Sequence, residues 1–270
     1  MQDITDKEFS LISNYIKDNY GINLGADKKS LVYSRLKNIL EKKGFKTFTE
    51  YYEYLLKDKT GSATMTFIDK MTTNHTFFMR EIDHFEFLKD TVLPYIESTA
   101  KDKDVRMWCA GCSSGEESYT LEMILTDYFK GKGKWDTELL ATDISTAVLT
   151  KAIKGIYTKD QIKPLSEHWK NNYFKSISTN QVQVVDEIKK KITYRKFNLM
   201  ETRFPFKRKF QVIFCRNVMI YFDDDTRTKL IKKFYDSSEK GAYLFIGHSE
   251  TLNNIQTDYE YIMPAVYRKN

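Results

Sequence analysis

The feature that most constrains the fold of this sequence is a regular alternation of strand-like and helix-like segments beginning near residue 105. Residues 105–110 and 137–144 are short apolar runs typical of buried strands, and each is followed by a segment with helical spacing. Residues 210–215, 224–235 and 242–247 repeat the order strand, helix, strand. Strands that alternate with helices in this way predict βαβ units and a mostly parallel sheet.

The segments outside this alternation follow other patterns. The first 70 or so residues place apolar side chains at helical spacing in short stretches that stop at Gly21 and Gly44, which predicts an all-helical unit. Residues 259–263 and 265–268 flank a proline and predict a closing antiparallel pair. Residues 173–198 break into short alternating pieces that are too rich in strand for a crossover helix, so we expect a small β insertion there.

Composition narrows the class of protein. The chain has 270 residues, of which 41% are hydrophobic, enough to bury a core and to exclude wholesale disorder. No apolar run approaches the roughly 20 residues that a membrane helix needs, and the polar N-terminus lacks the features of a signal peptide. Three cysteines cannot all pair with one another. We therefore expect a soluble, cytoplasmic globular protein with one large or two modest domains.

Positive charge is concentrated in the helical unit. The net charge is only +6, but residues 28–46 carry seven Lys or Arg and a single acid, Glu41. Lys28, Arg35 and Lys42 recur every seven residues, which places them on one helix face. This face is either a solvated helix surface or a docking surface for an acidic partner, nucleic acid or protein.

A glycine-bounded turn at residues 110–115 follows the first predicted strand, where α/β sheets bind nucleotides. We expect free N–H groups of this turn to face a ligand. Asp143 ends the second strand, where a carboxylate accepts hydrogen bonds from ribose hydroxyls; the alternative is an N-cap for the next helix. The full dinucleotide glycine pattern and a following Gly-Lys-Ser/Thr are both missing, so hydride and phosphoryl transfer are poorly supported.

Cysteine and histidine positions argue against redox and metal chemistry. Cys109 and Cys112 have dithiol spacing, but Cys109 belongs to the predicted strand, whereas a redox pair usually sits at a helix N-terminus. The histidines lie far from metal-ligand spacing in the sequence: His75, His84, His168 and His248. We therefore expect no metal.

Six blocks of residues, in order along nearly the whole chain, together resemble one protein family. They are residues 72–81 (TTNHTFFMRE), 108–119 (WCAGCSSGEESY), 141–143 (ATD), 198–199 (NL), 214–222 (FCRNVMIYF) and 247–250 (GHSE). The sequence resembles the CheR family, the S-adenosylmethionine-dependent methyltransferases of bacterial chemoreceptors. The order of six blocks makes this resemblance far more specific than any single block.

The resemblance implies an α/β fold: a Rossmann-like S-adenosylmethionine-dependent methyltransferase domain with a small antiparallel β insertion, preceded by an all-α N-terminal domain. The helical, receptor-docking domain would span residues 1–72, the methyltransferase domain residues 73–270, and the insertion about residues 172–197. The substrates would be glutamate side chains on the cytoplasmic helices of methyl-accepting receptors. The products would be glutamate γ-methyl esters and S-adenosylhomocysteine.

The resemblance also implies site residues. Family positions that contact the cofactor fall on Asn74, Thr76, Arg80, Glu117, Asp143, Asn198, Leu199, Asn217 and Val218. Asp143 would hold the ribose, Glu117 the cationic end of the methionine moiety, and Asn198 with Leu199 the adenine edge.

Two residues are expected to act in catalysis, and one position departs from the family. Arg80 would guide the substrate carboxylate and Tyr221 would wall the methyl channel; the alternative for Arg80 is a surface salt bridge with Glu81 or Asp83. Met79 stands where many family members carry a second Phe, which we expect to alter a wall of the pocket.

Expected partners follow from the same resemblance. The face formed by Lys28, Arg35 and Lys42 would dock glutamate-rich receptor helices. We expect a monomer that binds no nucleic acid and does not insert into the membrane. Residues 173–198 contain no glycine and look about three residues shorter than in members that bind a receptor C-terminal peptide, so we expect independence of such a tether.

Two other classes of function remain open on the sequence. A methyltransferase that acts on another protein or on nucleic acid would use the same cofactor fold. An enzyme for nucleic acid usually shows a base-flipping catalytic motif that is not found here. A non-enzymatic binding module that kept the fold would be expected to lose Asp143 or Arg80, and both are present.

Overall fold

The computed structural model describes residues 3–72 and 74–270. Residues 3–72 form a helical unit whose apolar faces share one core, lined by Ile12, Ile16, Leu36 and Phe67 among others. Its helices are Asp6–Tyr20 (α1), Lys29–Lys43 (α2), Phe48–Lys57 (α3) and Ser62–Met71 (α4). The domain boundary expected at residues 72 and 73 falls on Thr73, which lies outside the described residues.

The second part of the chain is built on one twisted sheet. Its strands are Met107–Ala110 (β1), Leu139–Asp143 (β2), Ile192–Lys196 (β6), Phe210–Cys215 (β7), Ser238–Ile246 (β8), Tyr259–Met263 (β9) and Val266–Lys269 (β10). They are hydrogen-bonded in the order β6-β2-β1-β7-β8-β10-β9. The first five are parallel to one another, and β10 and β9 close the edge antiparallel. The Rossmann-like α/β fold expected from the sequence is confirmed.

Each face of this sheet is covered by helices because its central strands are apolar on both sides. Met107 and Cys109 of β1 belong to one core, and Trp108 and Ala110 to the other. The two cores reflect the alternation of side chains along a strand. The helices of this part are Ile82–Phe87 (α5), Leu93–Thr99 (α6), Glu116–Phe129 (α7), Thr146–Lys154 (α8), Glu167–Tyr173 (α9), Asp186–Lys189 (α10) and Asp224–Ser237 (α11).

The small antiparallel sheet differs from its expected limits. It consists of Ile156–Thr158 (β3), Phe174–Ser176 (β4) and Gln181–Val184 (β5), in the order β3-β5-β4. The expected insertion at about residues 172–197 is therefore wrong at both ends. The small sheet starts earlier, at β3. It does not include β6, because Ile192–Lys196 pairs in parallel with β2 at the edge of the large sheet.

The helical unit contacts the large sheet domain through the end of α1 and the residues after it. Lys17 pairs with Asp223 at 2.7 Å, and the Asn23 N–H donates to the Tyr221 carbonyl at 2.8 Å. The Asn198 amide donates to the Asn19 carbonyl at 2.8 Å. These bonds fix one end of the helical unit beside the carboxyl ends of the strands. None of the helices in the described residues is long and apolar enough to cross a bilayer.

The basic face of the helical unit is less uniform than its spacing suggests. Lys28 lies in the short 3₁₀ turn before α2 and pairs with Asp27 at 3.2 Å. Arg35 is half-buried and donates to the Lys70 carbonyl at 2.7 Å and the Met71 carbonyl at 3.0 Å. The Arg35 guanidinium thus caps the last turn of α4 and is already used within the fold. The docking role expected of Lys28, Arg35 and Lys42 stays a prediction.

Candidate functional site

A cavity of about 260 Å³ opens at the carboxyl ends of β1, β2 and β7. Between β1 and β7 the strand order reverses, which is the position where open α/β sheets bind their ligands. The structure brings all the residues named from the sequence to this one cavity: Asn74, Thr76, Arg80, Glu117, Asp143, Asn198, Leu199, Asn217, Val218 and Tyr221. The resemblance thus selected residues far apart in sequence that line one cavity.

Gly111 allows the turn after β1 to pack closely against the loop that follows the neighbouring strand β7. Its φ is +85°, and a Cβ at this position would lie 2.4 Å from Val218 Cγ2. The N–H groups of Gly111 and Cys112 both donate to the Thr142 carbonyl, at 2.7 and 2.9 Å. The expectation that these N–H groups face a ligand is therefore wrong. The glycine is required for close approach instead.

Asp143 lies at the end of β2 and holds the two loops beside it. Its Oδ2 accepts from the Ser113 N–H and its Oδ1 from the Ser145 N–H, both at 2.9 Å. Burial raises the pKa of Asp143, and the backbone donors oppose that rise. The alternative that Asp143 is the N-cap of α8 is wrong, because Ser145 takes that position and accepts from Val148. Each Asp143 oxygen has a further lone pair for a ligand hydroxyl.

Glu117, at the start of α7, is held by two groups from neighbouring strands. The Cys109 thiol donates to its Oε1 at 3.2 Å, and the Arg216 guanidinium lies 3.1 Å from its Oε2. Burial raises the pKa of the Glu117 carboxyl, whereas the Arg216 charge lowers it. Burial also raises the pKa of Cys109, so its thiol stays protonated and can donate. Cys109 is thus a ligand of Glu117 as well as a small core residue.

The segment that carries Arg80 is strained and fixed. Met79 and Glu81 adopt left-handed backbone conformations, with φ of 62° and 55°, which non-glycine residues adopt at some cost. Arg80 Nη1 donates to the His75 carbonyl at 2.9 Å, and its Nε lies 3.9 Å from Glu81 Oε1. The salt bridge considered as an alternative is therefore long, and Arg80 faces the cavity. Met79 packs against the large core and does not line the cavity, contrary to expectation.

Loops that follow β6, β7 and β8 build and support another part of the cavity wall. Asn217 has φ 58°, and its N–H donates to Glu250 Oε2 at 2.9 Å. Glu250 also accepts from the Gly247 N–H at 2.6 Å and the Ile220 N–H at 3.1 Å. This buried carboxylate of the GHSE block therefore clamps the backbone around Asn217. Both polar atoms of the Asn198 amide are hydrogen-bonded within the protein. Its Nδ2 donates to the Asn19 carbonyl, and its Oδ1 accepts from the Met200 N–H at 3.0 Å.

Sequence reasoning missed several residues of the site. Tyr20 and Ile22 of the helical unit line the cavity, and no local motif marks them. Arg216 lines it as well and is almost fully buried. It lies inside the recognised block at residues 214–222, but only its carboxylate partners reveal its role.

Two of the histidines, distant in sequence, meet beside the cavity. The rings of His84 and His248 are 4.7 Å apart, and one ligand atom from each lies with Glu81 in a group within 4.8 Å. Burial lowers the pKa of His84 to about 4. The Arg216 guanidinium, 3.0 Å from Glu81 Oε2, already balances the charge of the acid in this group.

The fold and the cavity define a Rossmann-like α/β protein with a ligand site at the carboxyl ends of its strands and a helical unit beside that site. The family model described as "CheR methyltransferase, SAM binding domain" matches residues 74–267, and "CheR methyltransferase, all-alpha domain" matches residues 7–72. The chain belongs to the CheR methyltransferase family.

Relatives span nearly all of the chain. The chemotaxis protein methyltransferase of Borreliella burgdorferi is 45% identical over 99% of this chain and 95% of its own length. The probable chemotaxis protein methyltransferase of Rhizobium etli is 37% identical over 88% of this chain and 90% of its own length. The chemotaxis protein methyltransferase of Escherichia coli is 32% identical over 98% and 91%, respectively. The resemblance named from the six blocks is confirmed.

Proposed function

We propose that this S-adenosylmethionine-dependent methyltransferase esterifies glutamate side chains on the cytoplasmic helices of chemotaxis receptors. Membership of the CheR methyltransferase family and relatives named chemotaxis protein methyltransferase support the reaction class. The observation that carries the finer proposal is Arg80, a cation at the cavity with its guanidinium anchored to the His75 carbonyl.

The cavity fits the cofactor by its hydrogen-bond acceptors and its shape. Asp143 offers spare acceptor positions for ribose hydroxyls, and Glu117 offers a carboxylate for an ammonium group. Gly111 lets the turn after β1 lie close to Val218, because a side chain at this position would displace Val218. S-adenosylmethionine bound in this way supplies an electrophilic methyl group on a sulfonium.

The protein needs to position the substrate carboxylate and exclude water from it, and it does not need a strong base. A glutamate carboxyl with an ordinary pKa near 4.3 is already ionised at neutral pH and is the nucleophile. Arg80 would orient that carboxylate, while Tyr221 and Phe222 narrow the space around it. Because the helical unit adds Tyr20 and Ile22 to the wall, it helps to exclude water from the anion, which raises its reactivity. We propose that no metal takes part in this step.

The mouth of the cavity suits a protein substrate. Two of its lining residues are large, apolar and about half exposed: Phe77 at 45% and Ile220 at 51%. The Arg80 guanidinium lies 5.9 Å from the centre of the Phe77 ring. An apolar rim beside a cation matches a glutamate flanked by apolar residues on an amphipathic helix.

A labelling experiment tests the proposal. The protein is incubated with methyl-tritiated S-adenosylmethionine and either a receptor cytoplasmic fragment or duplex DNA. We expect label on the receptor fragment that alkali releases as volatile methanol, since esters hydrolyse readily whereas N-methyl groups do not. A fragment with its methylated glutamates changed to alanine is the control. Alkali-stable label, or label on DNA alone, would contradict the proposed reaction.

We also propose that receptor recognition does not depend on a C-terminal tether peptide. The turn between β4 and β5 is closed by hydrogen bonds from the Ile177 and Ser178 N–H groups to the Gln181 carbonyl, at 3.0 and 3.2 Å. The segment at residues 173–198 has no glycine to relax this turn. Fluorescence anisotropy with a labelled receptor tail peptide tests the proposal. Binding with a Kd of about 1 μM would contradict the proposal if unlabelled peptide competes with the labelled peptide.

A further inference from the structure

Arg216 is a buried cation that links three parts of the site. Its side chain is 1% exposed, with Nη1 lying 3.1 Å from Glu117 Oε2 and Nη2 3.0 Å from Glu81 Oε2. Nη2 also donates to the Arg80 backbone carbonyl, and the guanidinium lies 5.2 Å from the centre of the Phe85 ring. A buried guanidinium is unfavourable unless it is paired and hydrogen-bonded, so these contacts fix one another.

We infer that Arg216 is a positioning residue that keeps Glu117 charged inside the cavity and holds the Arg80 segment beside it. The inference rests on the proposed function, in which Glu117 holds the ammonium group of the cofactor and Arg80 the substrate carboxylate. Neither role was assigned to Arg216 by the sequence. One planar guanidinium can fill both roles, because its Nη1 faces Glu117 while its Nη2 faces Glu81 and the Arg80 carbonyl.

Among its neighbours, Glu117 depends most on Arg216 for its charge. Burial raises the pKa of Glu117, as does the nearby Glu81 carboxylate, whereas Arg216 lowers it most and the Cys109 hydrogen bond and Arg80 lower it further. Buried thiols also face it, and burial raises the pKa of each of them: Cys109, Cys112 and Cys215. Removing Arg216 leaves two acids in one buried region, where the proton affinity of at least one must rise.

The sign of the expected pH effect follows. A cofactor ammonium group binds the Glu117 carboxylate but not its protonated form. With Arg216 absent, Glu117 should take up a proton at a higher pH than in the wild type. Affinity for S-adenosylhomocysteine, which carries the same ammonium group, should therefore fall at lower pH and recover as pH rises. A merely structural defect would lower affinity by the same factor at every pH.

Calorimetric binding of S-adenosylhomocysteine between about pH 6 and pH 8 tests the inference, a range in which a partly buried acid titrates. Arg216→Met should bind about tenfold more weakly than wild type near the lower limit, with affinity rising by up to about tenfold per pH unit because one proton is linked. Arg216→Lys keeps the charge and should show a flat profile. Glu117→Gln has no carboxylate to titrate and should also be flat.

Arg106→Met is the matched control, because Arg106 pairs with Asp104 at 2.9 Å just before β1, at the opposite end of the sheet. It should leave affinity and its pH profile unchanged. A folded Arg216→Met protein with a pH-independent loss would overturn the inference. If Arg216→Met does not fold, Arg216→Lys decides. Its single ammonium cannot span both acids, so kcat should fall at least about tenfold with KM for the cofactor little changed, and an unchanged kcat would overturn the inference.

The two proposals fail separately. Wild type that binds S-adenosylhomocysteine but forms no receptor ester would refute only the proposed substrate. Wild type that methylates receptor glutamate, together with an Arg216→Met variant whose affinity loss does not change with pH, would refute only the positioning role.

Discussion

Gly111→Ala tests whether close packing of the turn after β1 against Val218 shapes the site. The new Cβ would lie 2.4 Å from Val218 Cγ2, at a φ of +85°. A left-handed alanine costs about 1–2 kcal/mol, and overpacking costs about 1–3 kcal/mol more. We therefore expect a loss of about 2–5 kcal/mol in the free energy of unfolding. Displaced toward the cavity, Val218 should also weaken binding of S-adenosylhomocysteine.

Gly131→Ala separates the two costs. Gly131 has a similar φ of +79°, but a Cβ there meets nothing within 4 Å. It should lose only the backbone part, about 1–2 kcal/mol. Adding Val218→Ala to Gly111→Ala removes the obstructing methyl group and should recover part of the stability, a coupling of about 0.5–3 kcal/mol. Urea unfolding measures wild type, Gly111→Ala, Gly131→Ala, Val218→Ala and the double variant. Equal losses for the two glycine variants, with no coupling to Val218, would refute the packing argument.

Three further predictions concern binding and turnover. Asp143→Ala should weaken S-adenosylhomocysteine binding by about 1.5–3 kcal/mol per lost ribose hydrogen bond; unchanged calorimetric affinity in a folded variant would remove Asp143 from the ribose site. Arg80→Ala should lower kcat for receptor methylation more than it lowers affinity for S-adenosylhomocysteine, and equal losses would make Arg80 a cofactor ligand instead. Lys28→Glu with Lys42→Glu, leaving the capping Arg35 in place, should raise KM for receptor in a way that fades with salt, since exposed charges are screened within about 10 Å at 0.1 M; a defect that persists at high salt would indicate misfolding.

The large sheet was predictable because its strands and helices differ in local pattern. Residues 210–215 and 259–263 were identified as strands with the limits that the structure shows. It was harder to predict which strands pair with one another. The segment at Ile192–Lys196 reads as a strand in either sheet, and only its partner β2, about 50 residues earlier, decides that it belongs to the large one. Alternation shows that a segment is a strand, but it does not show which edge completes the segment's hydrogen bonds.

The face at Lys28, Arg35 and Lys42 shows the same limit for side chains. Helical spacing predicts that Arg35 and Lys42 lie on one side of α2, but it carries no information on what a guanidinium meets there. Arg35 reaches two carbonyls at the end of α4, which lie 35 and 36 residues later in the sequence. A seven-residue repeat of cations therefore predicts a charged face, and only the packed structure separates the charges available to a partner from those used in the fold.

The residues that line the cavity were predicted more completely than the strand pairing, because ordered motif blocks carry positions that spacing cannot supply. All the residues so named line one cavity, yet the groups that hold them in place were missed. Arg216 and Glu250 lie inside recognised blocks, but a block does not reveal that a buried cation joins Glu117 to Glu81, or that a buried acid clamps the backbone at Asn217. These supporting contacts join segments more than 30 residues apart. Their energy comes from burial, which makes each unpaired partner unfavourable, and burial is a property of the folded chain. The sequence therefore identifies the residues that face a ligand more readily than the charges that keep those residues aligned.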